Sequence, residues 1–349
     1  MQYFKSTQPF RLECGSVLPE LQIAYHTFGT LNTDKSNVVW VAHALTANAR
    51  PDDWWKGLTG SGRILDPRKY FIVCANMLGS CYGSTFAKSI NPATDEIYGK
   101  SFPLITVRDM VNAHILLRKH LNISKIHLGI GGSMGGQQIL EWSVSEPEIF
   151  DNLCLLATNA RHSPWGKAFN EAQRMALTAD TTLYKADPQA GQKGLEAARA
   201  VAMLSYRNYT AYDRTQQDTN RDLLQDYRAT TYQQYQGLKL RKRFDPLAYL
   251  TLSRAMDSHD TGRGRGSTEA ALARIRARTL VIGIRGDLLF PTAEQEYLAE
   301  HIPDADLHLI ESPYGHDGFL LEYEKITGLL RRFLPAKTAG YAPESPCTC

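Results

Sequence analysis

The 349-residue chain has no unbroken apolar stretch near the roughly 18 residues that a membrane-crossing helix needs. It also lacks an excess of either charge: 39 lysines and arginines oppose 36 aspartates and glutamates, for a formal net charge of +3. So small a surplus gives no reason to expect nucleic acid or an anionic membrane as partner. Cysteine is scarce. Cys14, Cys74, Cys81, Cys154, Cys347 and Cys349 are the full set, and none stand at zinc-ligand spacing. Cys74 and Cys154 sit in apolar runs and read as buried free thiols. Pro346 occupies the fourth position from the end, where a prenylation signal requires cysteine. Met1-Gln2-Tyr3-Phe4-Lys5 does not read as a secretory leader. The expectation is a cytoplasmic protein without a metal.

What is present fits a large globular core. Hydrophobic residues make up 43% of the chain and charged residues 21%, so neither disulfides nor metals are needed for stability. Phe10 to Cys14 and Leu21 to Phe28 alternate around a Gly/Pro turn, which predicts an opening antiparallel hairpin. Val38 to Leu45 and Tyr70 to Leu78 are continuous apolar runs, as strands buried on both faces require. Thr106 to Leu121 shows helical spacing. Ile126 to Ile130 predicts a strand, Gln137 to Ser145 a helix and Leu153 to Ala157 another strand. From about Arg161 to Ala270 the chain turns polar, with helical stretches at Gly194 to Tyr206 and Leu247 to Ser258. Strands resume at Thr279 to Arg285 and Leu307 to Ile310, and a last helix covers Glu322 to Phe333. This is an α/β pattern: a mostly parallel sheet flanked by helices. It divides into a core over residues 1–160, an inserted helical lid over 161–270, a second core part over 271–334, and a tail over 335–349. That tail, which holds Cys347 and Cys349, has no periodicity and is expected to be disordered.

Gly131-Gly132-Ser133-Met134-Gly135 carries the chemistry. As text, G-x-S-x-G is a weak signal. Here it follows a buried strand and opens a helix, the context in which a sharp turn exposes a serine hydroxyl. Serine needs a histidine as base and a carboxylate to orient that histidine. Asp287 follows the strand Thr279 to Arg285, and His316 follows the next, so both lie beyond the carboxyl ends of strands, on the same edge as Ser133. Asp304 and Asp306 precede a strand and are poorer acid candidates. His26, His43, His114, His120 and His259 read as structural. An oxyanion needs two donors. The N–H groups of Met134, after the nucleophile, and Leu45, in the loop after Val38 to Ala42, are the candidates.

With these residues in place the sequence resembles the homoserine O-acetyltransferases of the α/β-hydrolase fold from about Phe10 to Phe333. The resemblance rests on His43-Ala44-Leu45-Thr46, Asn76-Met77-Leu78-Gly79-Ser80-Cys81-Tyr82-Gly83-Ser84-Thr85, Ile90-Asn91-Pro92, Phe102 to Met110, Gly132 to Gly136, Glu141-Trp142, Ala255 to Asp260 with Gly262 to Gly266, and Gly315-His316-Asp317. It implies ping-pong transfer: acetyl-CoA acylates Ser133, and L-homoserine, deprotonated by His316, takes the acetyl group, a step of methionine biosynthesis. It implies no cofactor beyond acetyl-CoA as donor substrate. It also implies that Arg199 grips the substrate carboxylate, with Tyr206 on the same helix face, that Asp317 binds the ammonium, and that the chain forms a homodimer through the lid. Ala47-Asn48 departs from the Gly-Asp of many members, close to the acyl pocket. Arg263 and Arg265 could reach phosphates, but a structural loop is the better reading. A succinyl donor, serine as acceptor, or a carboxylesterase using water remain the alternatives.

Overall fold

The computed structural model describes residues 1–334. The tail and its Cys347 and Cys349 lie outside the described residues. Eight strands form the main sheet: β1 (Gln2–Ser6), β2 (Leu21–Phe28), β3 (Val38–Ala42), β4 (Phe71–Ala75), β5 (Ile126–Gly132), β6 (Phe150–Leu156), β7 (Arg278–Arg285) and β8 (Ala305–Glu311). Their spatial order is β1-β2-β4-β3-β5-β6-β7-β8. The first two contacts, β1 with β2 and β2 with β4, are antiparallel, and every later pair is parallel. All five residues of β3 are buried, as its uninterrupted apolar sequence requires of a central strand.

The opening hairpin is not the expected one. Phe10–Arg11 pairs only with Val17–Leu18, in a small separate ribbon. Gly15, with φ of +91°, closes that ribbon locally, and Leu12 N–H donates to the Ser16 carbonyl. The antiparallel partner of β2 is instead β1, with Gln2 opposite Tyr25 and Ser6 opposite Leu21. The run from Tyr70 also ends sooner than its hydropathy implies. At Asn76 the backbone turns off the strand, because the Asn76 side chain accepts from Ala49 N–H and donates to the Tyr82 carbonyl, each at 2.8 Å.

Helix α1 (Val107–His120) begins at a reciprocal cap in which Thr106 and Asp109 satisfy each other's backbone N–H. Helix α2 (Met134–Ser145) follows β5 directly and is buried along almost its whole length. Between β6 and β7 lies the inserted helical region. It comprises α3 (Pro164–Thr178), α4 (Gln192–Tyr206), α5 (Tyr209–Thr215), α6 (Arg228–Arg241), α7 (Pro246–Asp257) and α8 (Thr268–Leu272). Helix α9 (Thr292–His301) connects β7 to β8, and α10 (Tyr323–Phe333) closes the described chain. No described helix is long and apolar enough to cross a membrane.

The junction between β5 and α2 is where packing is tightest. A methyl group on Gly131 would lie 2.4 Å from the Gly135 carbonyl, and one on Gly135 would lie 2.2 Å from the Ala42 oxygen. These obstacles are backbone, so no side-chain rotation relieves them. Gly131→Ala should therefore lower stability by about 1–3 kcal/mol through overpacking, read as a shift of the urea midpoint at constant slope. An unchanged midpoint would show that the turn has room the packing does not suggest.

Candidate active site

Ser133 sits at the junction with φ of +56° and ψ of −128°, a conformation that costs a non-glycine residue on the order of 1–3 kcal/mol. Its surroundings hold it there. Ser133 N–H donates to the Leu156 carbonyl, and the Thr158 hydroxyl donates to the Ser133 carbonyl, each at 2.9 Å. The side chain is thereby directed away from the sheet into a cavity of about 380 Å³. Leu45, Arg199, Tyr206, His316 and Asp317 also line it, so six of the eight residues singled out from sequence meet there.

The other two stand just behind its wall. Asp287 is buried. Its Oδ1 accepts from the N–H groups of Leu289 at 2.8 Å and Phe290 at 2.9 Å, while Oδ2 lies 2.7 Å from His316 Nδ1. An acceptor-only carboxylate at that distance assigns the imidazole proton to Nδ1 and leaves Nε2 as the basic nitrogen. The ring is boxed by aromatics: Phe290 stacks on it with centroids 5.1 Å apart, Phe319 is tilted at 5.2 Å and Tyr206 at 5.9 Å. Met134 is the first residue of α2, so its N–H has no acceptor within the helix. Among the described residues Leu45 N–H likewise donates to no other group.

The loop carrying Leu45 is pinned from beneath by His43. Its Nδ1 donates to the Ala44 carbonyl at 2.9 Å and its Nε2 accepts from Met77 N–H at 3.3 Å. That arrangement needs the neutral ring, and complete burial pushes the His43 pKa down to about 4.

Helix α4 delivers Arg199 and Tyr206 on one face, with the guanidinium 4.9 Å from the phenol ring centre. Arg199 forms no ion pair among the described residues. Asp317 is different: Arg207 Nε lies 3.1 Å from its Oδ2, a partner that the sequence reading left without a role. The adjacency of Arg207 to Tyr206 was the available signal. Lys239 and Arg243 also line the cavity and were missed. They come from α6 and the turn after it, a polar segment whose helical face cannot be oriented without the fold.

The motif arginines Arg263 and Arg265 stand elsewhere. Arg263 binds Glu13 at 2.8 Å, and Arg265 binds the buried Glu141 at 2.6 Å, with Arg108 on the same carboxylate at 2.8 Å. They tie the end of the insertion to α2 and α1, which is the structural reading. Asp306 pairs with Arg278 at 3.2 Å. Among the described residues no three His, Cys, Asp or Glu side chains group as metal ligands.

A family model described as alpha/beta hydrolase fold matches residues 37–323. A homoserine O-acetyltransferase of Cyclobacterium marinum is 48% identical over 332 residues, spanning 95% of this chain and 94% of that protein. Among solved structures, a homoserine O-acetyltransferase from Staphylococcus aureus is 30% identical with a TM-score of 0.79, covering 96% of this chain and 95% of that one. Esterase E22 superposes with a TM-score of 0.87 at 23% identity, covering 96% of this chain and 99% of that one, a likeness of fold alone.

The buried histidines make acid sensitivity predictable. Burial lowers His43 and His259 to about 4 and His114 and His162 to about 3, whereas burial raises the Glu294 carboxyl to about 7. Between pH 6.5 and 4.5 the unfolded chain binds four imidazole protons that the folded chain refuses. The folded chain keeps one proton, on Glu294, that the unfolded chain releases. The balance of three favours unfolding as pH falls, at about 1.4 kcal/mol per pH unit for each net proton. Thermal melts at pH 7.5, 6 and 5 should show a steep fall in Tm. A Tm that rises on acidification would contradict the neutral burial of these rings.

Proposed function

The chain belongs to the homoserine O-acetyltransferase family of the α/β-hydrolase fold, and from that membership we propose ping-pong transfer of an acetyl group from acetyl-CoA to the hydroxyl of L-homoserine. Ser133 Oγ attacks the thioester carbonyl while His316 Nε2 takes its proton. The oxyanion is stabilised by the N–H groups of Leu45 and Met134. Collapse expels coenzyme A, which receives the proton from His316 as it leaves. The homoserine hydroxyl then gives its proton to the same nitrogen and attacks the acyl-serine, and Ser133 leaves reprotonated. Asp287 stays ionised and holds the imidazole in the tautomer that both halves require.

One observation carries the choice of acceptor: the cavity holding Ser133 and His316 is lined by both a guanidinium, Arg199, and a carboxylate, Asp317. A free amino acid brings one charge of each sign, and each must be matched when water leaves. Arginine suits the carboxylate because its fork donates two parallel hydrogen bonds. A water-using esterase has no need of this pair. The inserted helices act in this reading as a lid, because α4 carries both Arg199 and Tyr206 over the nucleophile. The same region exposes Leu204, Tyr209, Leu224 and Tyr235, each more than half accessible, which supports a homodimer formed through it. The reading places the enzyme in the cytoplasm and in methionine biosynthesis.

Incubation with acetyl-CoA alone should add one acetyl mass to the peptide containing Ser133, and Ser133→Ala should abolish the adduct. Asp287→Asn should lose several orders of magnitude in rate with its fold intact. If Asp304→Ala or Asp306→Ala were crippling instead, the acid would be misassigned.

Arg199→Ala and Asp317→Asn should spare acylation and impair the second half-reaction, by about 2–5 kcal/mol for a broken charge pair. Rapid-mixing measurements should find the first equivalent of thiol released normally, followed by slow turnover. Loss of that first equivalent would show that these residues serve acylation or folding.

A further inference from the structure

Five charged side chains line the cavity: Asp53, Arg199, Lys239, Arg243 and Asp317. Asp317 faces Arg207 at 3.1 Å, and Asp53 lies 3.7 Å from Arg50, which it shares with Asp52 at 2.5 Å. None of the three lining cations has a carboxylate partner among the described residues. With Arg199 assigned to the acceptor's carboxylate, Lys239 and Arg243 remain as surplus positive charge.

Their placement is specific. Lys239 lies in the last turn of α6 and Arg243 just beyond it, about one turn apart and turned to the same cavity. Arg241, between them, turns away to Glu196 at 3.2 Å. A helix C-terminus favours basic residues, but Arg241 already serves that end, and the dipole does not require two further cations to face one cavity. Like charges a turn apart repel, and neither residue forms an ion pair with the two carboxylates of the lining. Arg243 is also oriented without being neutralised. Its Nη1 donates to the Thr46 carbonyl at 2.5 Å and to the Tyr82 hydroxyl at 2.9 Å, both uncharged acceptors. The arginines of the Gly262–Gly266 loop are bound to Glu13 and Glu141 and are not available for this purpose.

We propose that Lys239 and Arg243 form an anion subsite at the cavity mouth that receives the phosphate groups of the acyl donor. The inference rests on acetyl-CoA being that donor. With its thioester at Ser133, the donor's nucleotide end would lie towards solvent, where Lys239 and Arg243 are the exposed cations of the lining. Lys239 supplies a mobile point charge and Arg243 a fixed fork. Through Thr46, Arg243 also couples the subsite to the loop that bears Leu45, so donor binding braces the oxyanion loop.

The test compares three donors that share one thioester: acetyl-CoA, acetyl-dephospho-CoA and S-acetylpantetheine, which has no phosphate. In Lys239→Glu the ratio of KM for acetyl-CoA to KM for S-acetylpantetheine should rise about tenfold, as for loss of a charge-assisted hydrogen bond. Lys242→Glu, a neighbouring residue outside the cavity lining, should leave that ratio unchanged. Persistence of the penalty with acetyl-dephospho-CoA places the diphosphate at Lys239, and its disappearance places the 3′-phosphate there. Either result supports the subsite. An unchanged ratio in Lys239→Glu, or an equal rise in Lys242→Glu, overturns it. Failure of the wild-type enzyme to acylate from acetyl-CoA at all would instead overturn the donor assignment on which the inference stands.

Discussion

The site depends on one steric constraint, the contact between the backbone of the β5–α2 turn and the end of β3. Gly135 has no room for a methyl group because the Ala42 carbonyl is 2.2 Å from where it would stand. That contact brings the start of α2 against the residues that lead into His43-Ala44-Leu45. The two N–H groups proposed for the oxyanion, on Leu45 and Met134, are therefore set by the same close approach that forces Ser133 into its left-handed conformation. Strain at Ser133 is sustained by bonds on both sides, from Leu156 and Thr158, so the nucleophile does not relax into the helix.

Charge is distributed by the same logic of fixed partners. Arg108, Arg263 and Arg265 converge on Glu13 and Glu141 and join the first core segment to the end of the insertion. Glu141 is the buried member, and removing its arginine partners would leave an uncompensated charge there. The cavity is built in the opposite way. Among the described residues Arg199, Lys239 and Arg243 form no ion pair with a carboxylate, although Asp53 and Asp317 line the same cavity.

Legibility in the sequence followed the reach of each signal. Strands buried on both faces were readable as apolar runs, because burial leaves no polar position. The positions of Ser133, Asp287 and His316 were readable because each follows a strand, and a parallel sheet brings strand ends to one edge. The opening hairpin was misread because alternation identifies a strand but not its partner, and the tight Gly15 turn paired Phe10 with Leu18 instead. Arg207, Lys239 and Arg243 were missed because a polar helical insertion gives no hydrophobic phase from which to orient its charged side chains. Arg199 and Tyr206 were found there only through the resemblance, not through periodicity.

Both acyltransferases and esterases occur on this fold, and they part at the fate of the acyl-serine. Thiol release from acetyl-CoA by the purified chain, followed with and without L-homoserine, tests most directly that the acyl group goes to an amino acid. The expected result is sustained release only when homoserine is present, with one O-acetylhomoserine formed per thiol. Sustained release at the same rate without homoserine, with acetate as the product, would contradict it.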